Sequence, residues 1–208
     1  MHPIAGTGVF DAAFFAPIES WPMAAALVST GTVALAEIGD KTQLLALLLA
    51  ARFRRPWPII AGILVATLLN HALAAWVGAL AADWLRPEVL RWVVAASFLA
   101  VAVWTLKPDS LDDEPGLPGR GAFIATTIAF FVAEIGDKTQ VATVLLAARY
   151  EPLWEVIAGT TVGMLLANVP VVLLGSRSAK RLPLKAARYV AATVFAVLAG
   201  WVALRGFG

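Results

Sequence analysis

"AEIGDKTQ" occupies Ala36 to Gln43 and returns, letter for letter, at Ala133 to Gln140, each copy inside a long apolar run. Two acids and a base within five residues are foreign to such surroundings, so their presence twice asks for a reason. The likeness extends beyond the motif. At an offset of 97 residues, Ala36 to Phe53 against Ala133 to Tyr150 gives 13 identities in 18 positions without a gap. Trp57 then aligns with Trp154, Gly62 with Gly159, Gly78 with Gly175, Phe98 with Phe195 and Trp104 with Trp201. The chain is a duplicated unit.

Its composition says where that unit resides. Of 208 residues, 60% are hydrophobic and 14% charged, with a mean hydropathy of +0.80, outside the balance of a soluble domain. A bilayer core about 30 Å thick takes roughly 20 apolar residues per helix, which leaves room for about six spans. Six apolar segments fit: Trp21 to Ala51, Trp57 to Ala82, Val89 to Leu106, Gly121 to Ala148, Leu153 to Gly175 and Ala186 to Leu204. The expected fold is an all-α integral membrane protein of six transmembrane helices. Residues 1–20 read as a leader or interfacial segment, 21–107 as the first three-helix repeat, and 121–208 as the second. Residues 108–120 form a cytoplasmic acidic linker whose Asp109, Asp112, Asp113 and Glu114 read as solvated connector rather than site.

Three spans per unit place the two units in the membrane with opposite orientation. With both termini outside, the inner side holds Arg52, Arg54, Arg55, Lys107, Arg120, Arg177, Lys180, Arg181, Lys185 and Arg188, and the outer side only Arg86, Arg91, Arg149 and Arg205. Positive charge gathers on the cytoplasmic side, so an inverted repeat with both termini outside is expected. Cysteine is absent and the formal charge is +2. Thiolate metal sites and disulfides are therefore excluded, and nothing points to nucleic acid. No cofactor is expected, and the oligomeric state is not legible.

Glu37 and Glu134 fall near the middle of their segments. An ionised side chain facing lipid there costs about 2.5–3.5 kcal/mol, so Glu37, Asp40, Lys41, Glu134, Asp137 and Lys138 must face inward. On a continuous helix, Glu37, Asp40 and Gln43 follow one stripe, with Lys41 beside Glu37 and Thr42 pointing elsewhere. Gly39, and Gly136 in the repeat, permit either close helix approach or a local break that frees backbone carbonyls. Two such stripes, brought together, would enclose one ion with Glu37, Asp40, Gln43, Glu134, Asp137 and Gln140. Oxygen ligands without sulfur suit hard divalent cations such as Mn²⁺, Ca²⁺ or Mg²⁺. Four carboxylates and two lysines sum to −2, which one divalent cation or two protons would neutralise. An exchanger with that stoichiometry follows from formal charge alone. The competing reading of each motif is a structural salt bridge, but a structural pair should come out neutral.

The pattern Glu-x-Gly-Asp-Lys-Thr, at Glu37 to Thr42 and Glu134 to Thr139, resembles the signature of the calcium/cation antiporter-2 type family. That family includes bacterial manganese exporters of the MneA type and Golgi and chloroplast Ca²⁺/Mn²⁺ transporters. The resemblance covers nearly the whole chain and implies export of Mn²⁺ or Ca²⁺ from the cytosol in exchange for protons. It implies Glu37, Asp40, Glu134 and Asp137 as cation ligands, and a bacterial inner membrane as the location, the bilayer being the chain's partner.

Other residues have supporting readings. His71 lies at mid-depth in the second segment and aligns with Asn168; a proton relay, support for the ion's ligands, or an interhelical hydrogen bond all suit it. Thr42 and Thr139 bond back to their helix or reach the ion. Lys41 and Lys138 serve either as countercharges displaced by the cation or as fixed ones. The alternatives to cation exchange are a proton-coupled exporter of an amino acid or other organic cation, and an intramembrane aspartyl protease. The second is disfavoured because Asp40 and Asp137 each stand between a glutamate and a lysine, which does not suit two carboxylates sharing one proton.

Overall fold

The computed structural model describes residues 23–107, 121–174 and 184–205; side chains are described there except for 184–188. The expected leader, acidic linker and the basic run from Arg177 to Arg188 lie outside the described side chains. The described residues form eight helices and no strand. They are α1 (Ala24–Glu37), α2 (Lys41–Phe53), α3 (Pro56–Trp84), α4 (Pro87–Thr105), α5 (Ala122–Glu134), α6 (Lys138–Arg149), α7 (Leu153–Leu174) and α8 (Leu184–Arg205).

Three of these, α3 with 29 residues, α4 with 19 and α7 with 22, are long and apolar enough to cross a membrane. α1 and α5 are apolar but shorter, because the segments read as single helices are each interrupted at the motif. The single-helix expectation for Trp21 to Ala51 and Gly121 to Ala148 is thereby corrected. Pro56 and Pro87 open α3 and α4, where a residue lacking N–H loses nothing. Pro170 lies inside α7 without ending it.

Equivalent residues of the two halves make reciprocal contacts. A Cβ on Gly62 of α3 would meet the carbonyl oxygen of Phe123 at 2.8 Å, and one on Gly159 of α7 would meet that of Ala26 at 2.4 Å. Gly62 and Gly159 are repeat partners, as are Ala26 and Phe123. Thus α3 lies against α5 and α7 against α1, close enough for backbone to touch backbone. Phe98 and Phe195, also partners, stack with ring centroids 6.2 Å apart where α4 meets α8. The two halves thus exchange equivalent contacts. Phe98, Phe195, Val94 and Leu146 anchor one buried cluster, and Ile59, Ile63, Phe130 and Met164 another.

Candidate metal centre

Each motif is a break between two helices, and the residue types explain it. α1 ends at Glu37, after which Gly39 takes φ +84°; α5 ends at Glu134, and Gly136 takes φ +74°. Glycine alone enters that region without steric cost. Asp40 then caps α2, its carboxylate accepting from the Thr42 N–H at 3.3 Å. The Gln43 side-chain oxygen accepts from the Gly39 N–H at 2.8 Å, and Gln140 from Gly136 at 2.7 Å. Asp-x-x-Gln is a capping-box pattern, here reaching one residue further back to secure the turn. Of the two roles open to the glycines, the local break is the one observed.

The break rearranges the expected stripe. Thr42 faces the glutamate instead of pointing away, and its hydroxyl donates to Glu37 Oε2. Thr139 does the same for Glu134 Oε2 at 2.9 Å. Lys41, expected beside Glu37 on one helix, instead reaches across to Asp137 of the other repeat, Nζ to Oδ1 3.0 Å. Lys138 reaches back to Asp40 at 2.5 Å. A helix that stops at Glu37 no longer carries its neighbour four residues on at the same angle, and the lysine is released to the opposite motif. The two motifs therefore meet, held by reciprocal ion pairs.

Glu37, Asp40, Thr42, Glu134, Asp137, Lys138 and Thr139 are all buried. One oxygen from each of Glu37, Asp40 and Asp137 lies within 4.8 Å of the other two, the donor set of a hard divalent cation. Glu134 is buried as completely as Glu37. Each aspartate faces a lysine of the other motif, and each glutamate a threonine of its own. Their Oε1 atoms have no hydrogen-bond partner among the described residues, nor does Asp137 Oδ2.

Gln43 ties its break to α7, and Gln140 ties its break to α3. Gln43 Nε2 donates to the Ala167 carbonyl at 2.9 Å, and Gln140 Nε2 to Asn70 Oδ1 at 3.4 Å. Asn70 in turn donates to the Phe131 carbonyl at 3.0 Å. Positions 70 and 167 are repeat partners, so one structural task is done by a side chain in one half and by backbone in the other. Asn70 was not among the sequence-derived site residues; a lone amide on an apolar helix, unmatched in its repeat partner, was the available signal. His71 is buried with both ring nitrogens unpartnered among the described residues. Asn168 is buried and donates to the Met164 carbonyl and sulfur of its own helix, both at 3.1 Å.

The glycine turns are testable apart from transport. A Cβ on Gly136 would meet nothing within 4 Å, so Gly136→Ala adds backbone strain alone, about 1–2 kcal/mol. Gly31, inside α1 and equally open, should respond oppositely, gaining roughly 0.5–1 kcal/mol as alanine. Thermal unfolding of the two variants in detergent should move in opposite directions. Equal shifts would mean that the positive φ is not the constraint.

The family model for the divalent cation/proton antiporter GDT1 matches residues 25–113 and again 122–208, one match per repeat. A protein of Vibrio cholerae serotype O1, named as a candidate manganese exporter, is 59% identical over 178 residues, covering 85% of this chain and 89% of that protein. A GDT1-like protein of Synechocystis is 27% identical over 194 residues, covering 81% and 93%. No solved structure matches. With both repeats matched and both motifs brought face to face, the chain belongs to the divalent cation/proton antiporter GDT1 family.

Proposed function

We propose that this chain exports Mn²⁺ from the bacterial cytoplasm in exchange for two protons, at a buried site formed by the two motifs. The observation that carries this is the cross-pairing of Lys41 with Asp137 and Lys138 with Asp40. It leaves −2 on Glu37 and Glu134, each held by a threonine and each with one unpartnered oxygen. One dication or two protons restores neutrality in a low-dielectric site, and the two cargoes exclude each other on charge. Glu37, Asp40 and Asp137 supply the converging oxygens; Glu134 completes the charge, and the carbonyl oxygens of Gln43 and Gln140 retain a lone pair beyond the one used on glycine. Manganese is favoured over calcium because the Vibrio cholerae relative bears that cargo in its name.

In this reading each broken pair is one span. Ala24 to Phe53 holds 27 helical residues, about 40 Å of rise, and Ala122 to Arg149 is comparable. Six spans result, with both termini outside and the repeats inverted. The breaks then lie at mid-membrane, where unwound backbone is tolerated only if it lines a protein-enclosed or aqueous cavity.

Proteoliposomes test the exchange. An outward proton gradient should drive Mn²⁺ uptake, with the rate indifferent to an imposed voltage, since one dication against two protons moves no net charge. Voltage-driven uptake would reject the stoichiometry, and absence of proton-coupled Mn²⁺ movement would reject the cargo. Ca²⁺ offered in the same vesicles ranks the two cations.

A further inference from the structure

The two motifs are identical over eight residues, yet their surroundings are not. The Lys41 side chain is 26% exposed and its partner Asp137 4%, whereas Lys138 is 2% exposed and Asp40 0%. The same inequality holds for neighbouring repeat partners. Gly136 is exposed and Gly39 half-buried; Gln140 is half-buried and Gln43 buried; Ile135 is 57% exposed and Ile38 half-buried. Lys41, Ile135, Gly136 and Gln140 thus share an open side, and Lys138, Gly39 and Gln43 a closed one. Lipid cannot be what meets the open side, since an ammonium and a broken backbone are both costly in hydrocarbon. It faces water.

We propose that Lys41 and Lys138 are alternating latches: each lysine, with the aspartate of the opposite repeat, closes one entrance when its pair is buried, and only one pair is buried at a time. The inference rests on the exchange reading above and adds to it a task for the lysines other than cation binding. A dry ion pair resists separation far more than a hydrated one, so the Lys138 pair holds the present state. Because the repeats are equivalent, the opposite state buries Lys41 with Asp137 and wets Lys138 with Asp40. The cation enters between the carboxylates from whichever side has its pair in water. Protons entering from the other side meet the same geometry with the repeats exchanged.

Opposite consequences follow for equivalent substitutions. Lys138→Gln removes the latch that is closed here and favours the opposite state; Lys41→Gln removes the latch of the opposite state and favours this one. The native chain has no cysteine, so Ile135→Cys and Ile38→Cys, made singly in nanodiscs with both faces accessible, report the two entrances to a charged thiol reagent. Without added metal, Ile135→Cys should react faster. Adding Lys138→Gln should raise the rate at Ile38→Cys and lower that at Ile135→Cys, each by roughly threefold or more. Lys41→Gln should shift both rates the other way.

Two lysines that serve as structural glue or as fixed countercharge would give shifts in the same direction or none, and either result overturns the proposal. Should a glutamine variant fail to assemble, arginine variants decide. Lys138→Arg overfills a closed site and should raise labelling at Ile38→Cys, while Lys41→Arg, with room in water, should leave both rates within about twofold; equal effects would again overturn it. Proton-coupled Mn²⁺ flux is measured on the same preparations. Flux without opposed labelling shifts rejects the latches alone, and absent flux in the native chain rejects the exchange reading.

Discussion

Replacing both glutamates, Glu37→Gln together with Glu134→Gln, is expected to abolish cation-for-proton exchange while giving a protein that unfolds at a higher temperature in alkaline buffer. The carboxamide is nearly the same size and still offers an oxygen to Thr42 or Thr139, so neither packing nor the threonine contact is lost. What disappears is the charge that neither lysine neutralises. Two like charges buried in one protein interior repel by an amount on the order of 1–4 kcal/mol at an effective dielectric of 20, and the parent carries that repulsion whenever protons and metal are both withheld. The variant does not. It should gain on the order of 1–3 kcal/mol and lose at least about a hundredfold in Mn²⁺-driven proton flux, an exchange of function for stability that strained sites commonly show. Asp40→Asn should do the reverse to stability, because it removes the carboxylate from a buried ion pair with Lys138, at a cost of about 3–5 kcal/mol. Differential scanning of both variants, beside vesicle flux, checks the pair of signs. Retained exchange in the double glutamine variant, or a loss of stability in it, would place the uncompensated charge elsewhere.

A single methyl at the contact between halves should be more damaging than any change on the lipid-facing surface. Gly159→Ala puts a Cβ 2.4 Å from the Ala26 carbonyl oxygen and 2.9 Å from its Cα, and Gly78→Ala puts one 2.2 Å from the Val144 carbonyl oxygen. The obstructing atoms are backbone in a packed helix, so no rotamer change relieves the clash and one helix must move away. Overpacking of ordinary side chains costs about 1–3 kcal/mol; these backbone clashes should exceed about 3 kcal/mol. Gly62→Ala, with its nearest atoms at 2.8 Å, should cost less. The yield of monodisperse protein after extraction should fall in the order Gly62→Ala, Gly159→Ala, Gly78→Ala. Wild-type yield from Gly78→Ala would mean that α3 and α6 do not approach as described.

Much of the site was legible because its residue types are so costly in apolar surroundings. Glu37, Asp40, Glu134 and Asp137 could be expected to face a common interior from their place in the middle of two apolar runs. The helix break was legible in part: glycine followed by Asp-x-x-Gln is a stop signal joined to a start signal, but an apolar run on either side reads equally as one long helix. Choosing the continuous helix gave Thr42 the wrong face and Lys41 the wrong neighbour. Both errors have one cause, since angular position around a helix carries no meaning once the helix has ended between the two residues. Asn70, beside His71, was given no role because its task is visible only when Gln140 lies opposite.

The sequence by itself determined that the chain is a duplicated, apolar, cysteine-free helical protein carrying two acidic motifs with a combined charge of −2. It did so because composition and repetition are properties of the string. The tertiary structure alone decided that each lysine answers the aspartate of the other repeat, that each glutamate faces its own threonine, and that one of the two ion pairs is more exposed than the other. Eight identical letters cannot encode unequal exposure. That difference arises from how glycine-mediated contacts seat each half against the other, and so from the packing of the whole molecule.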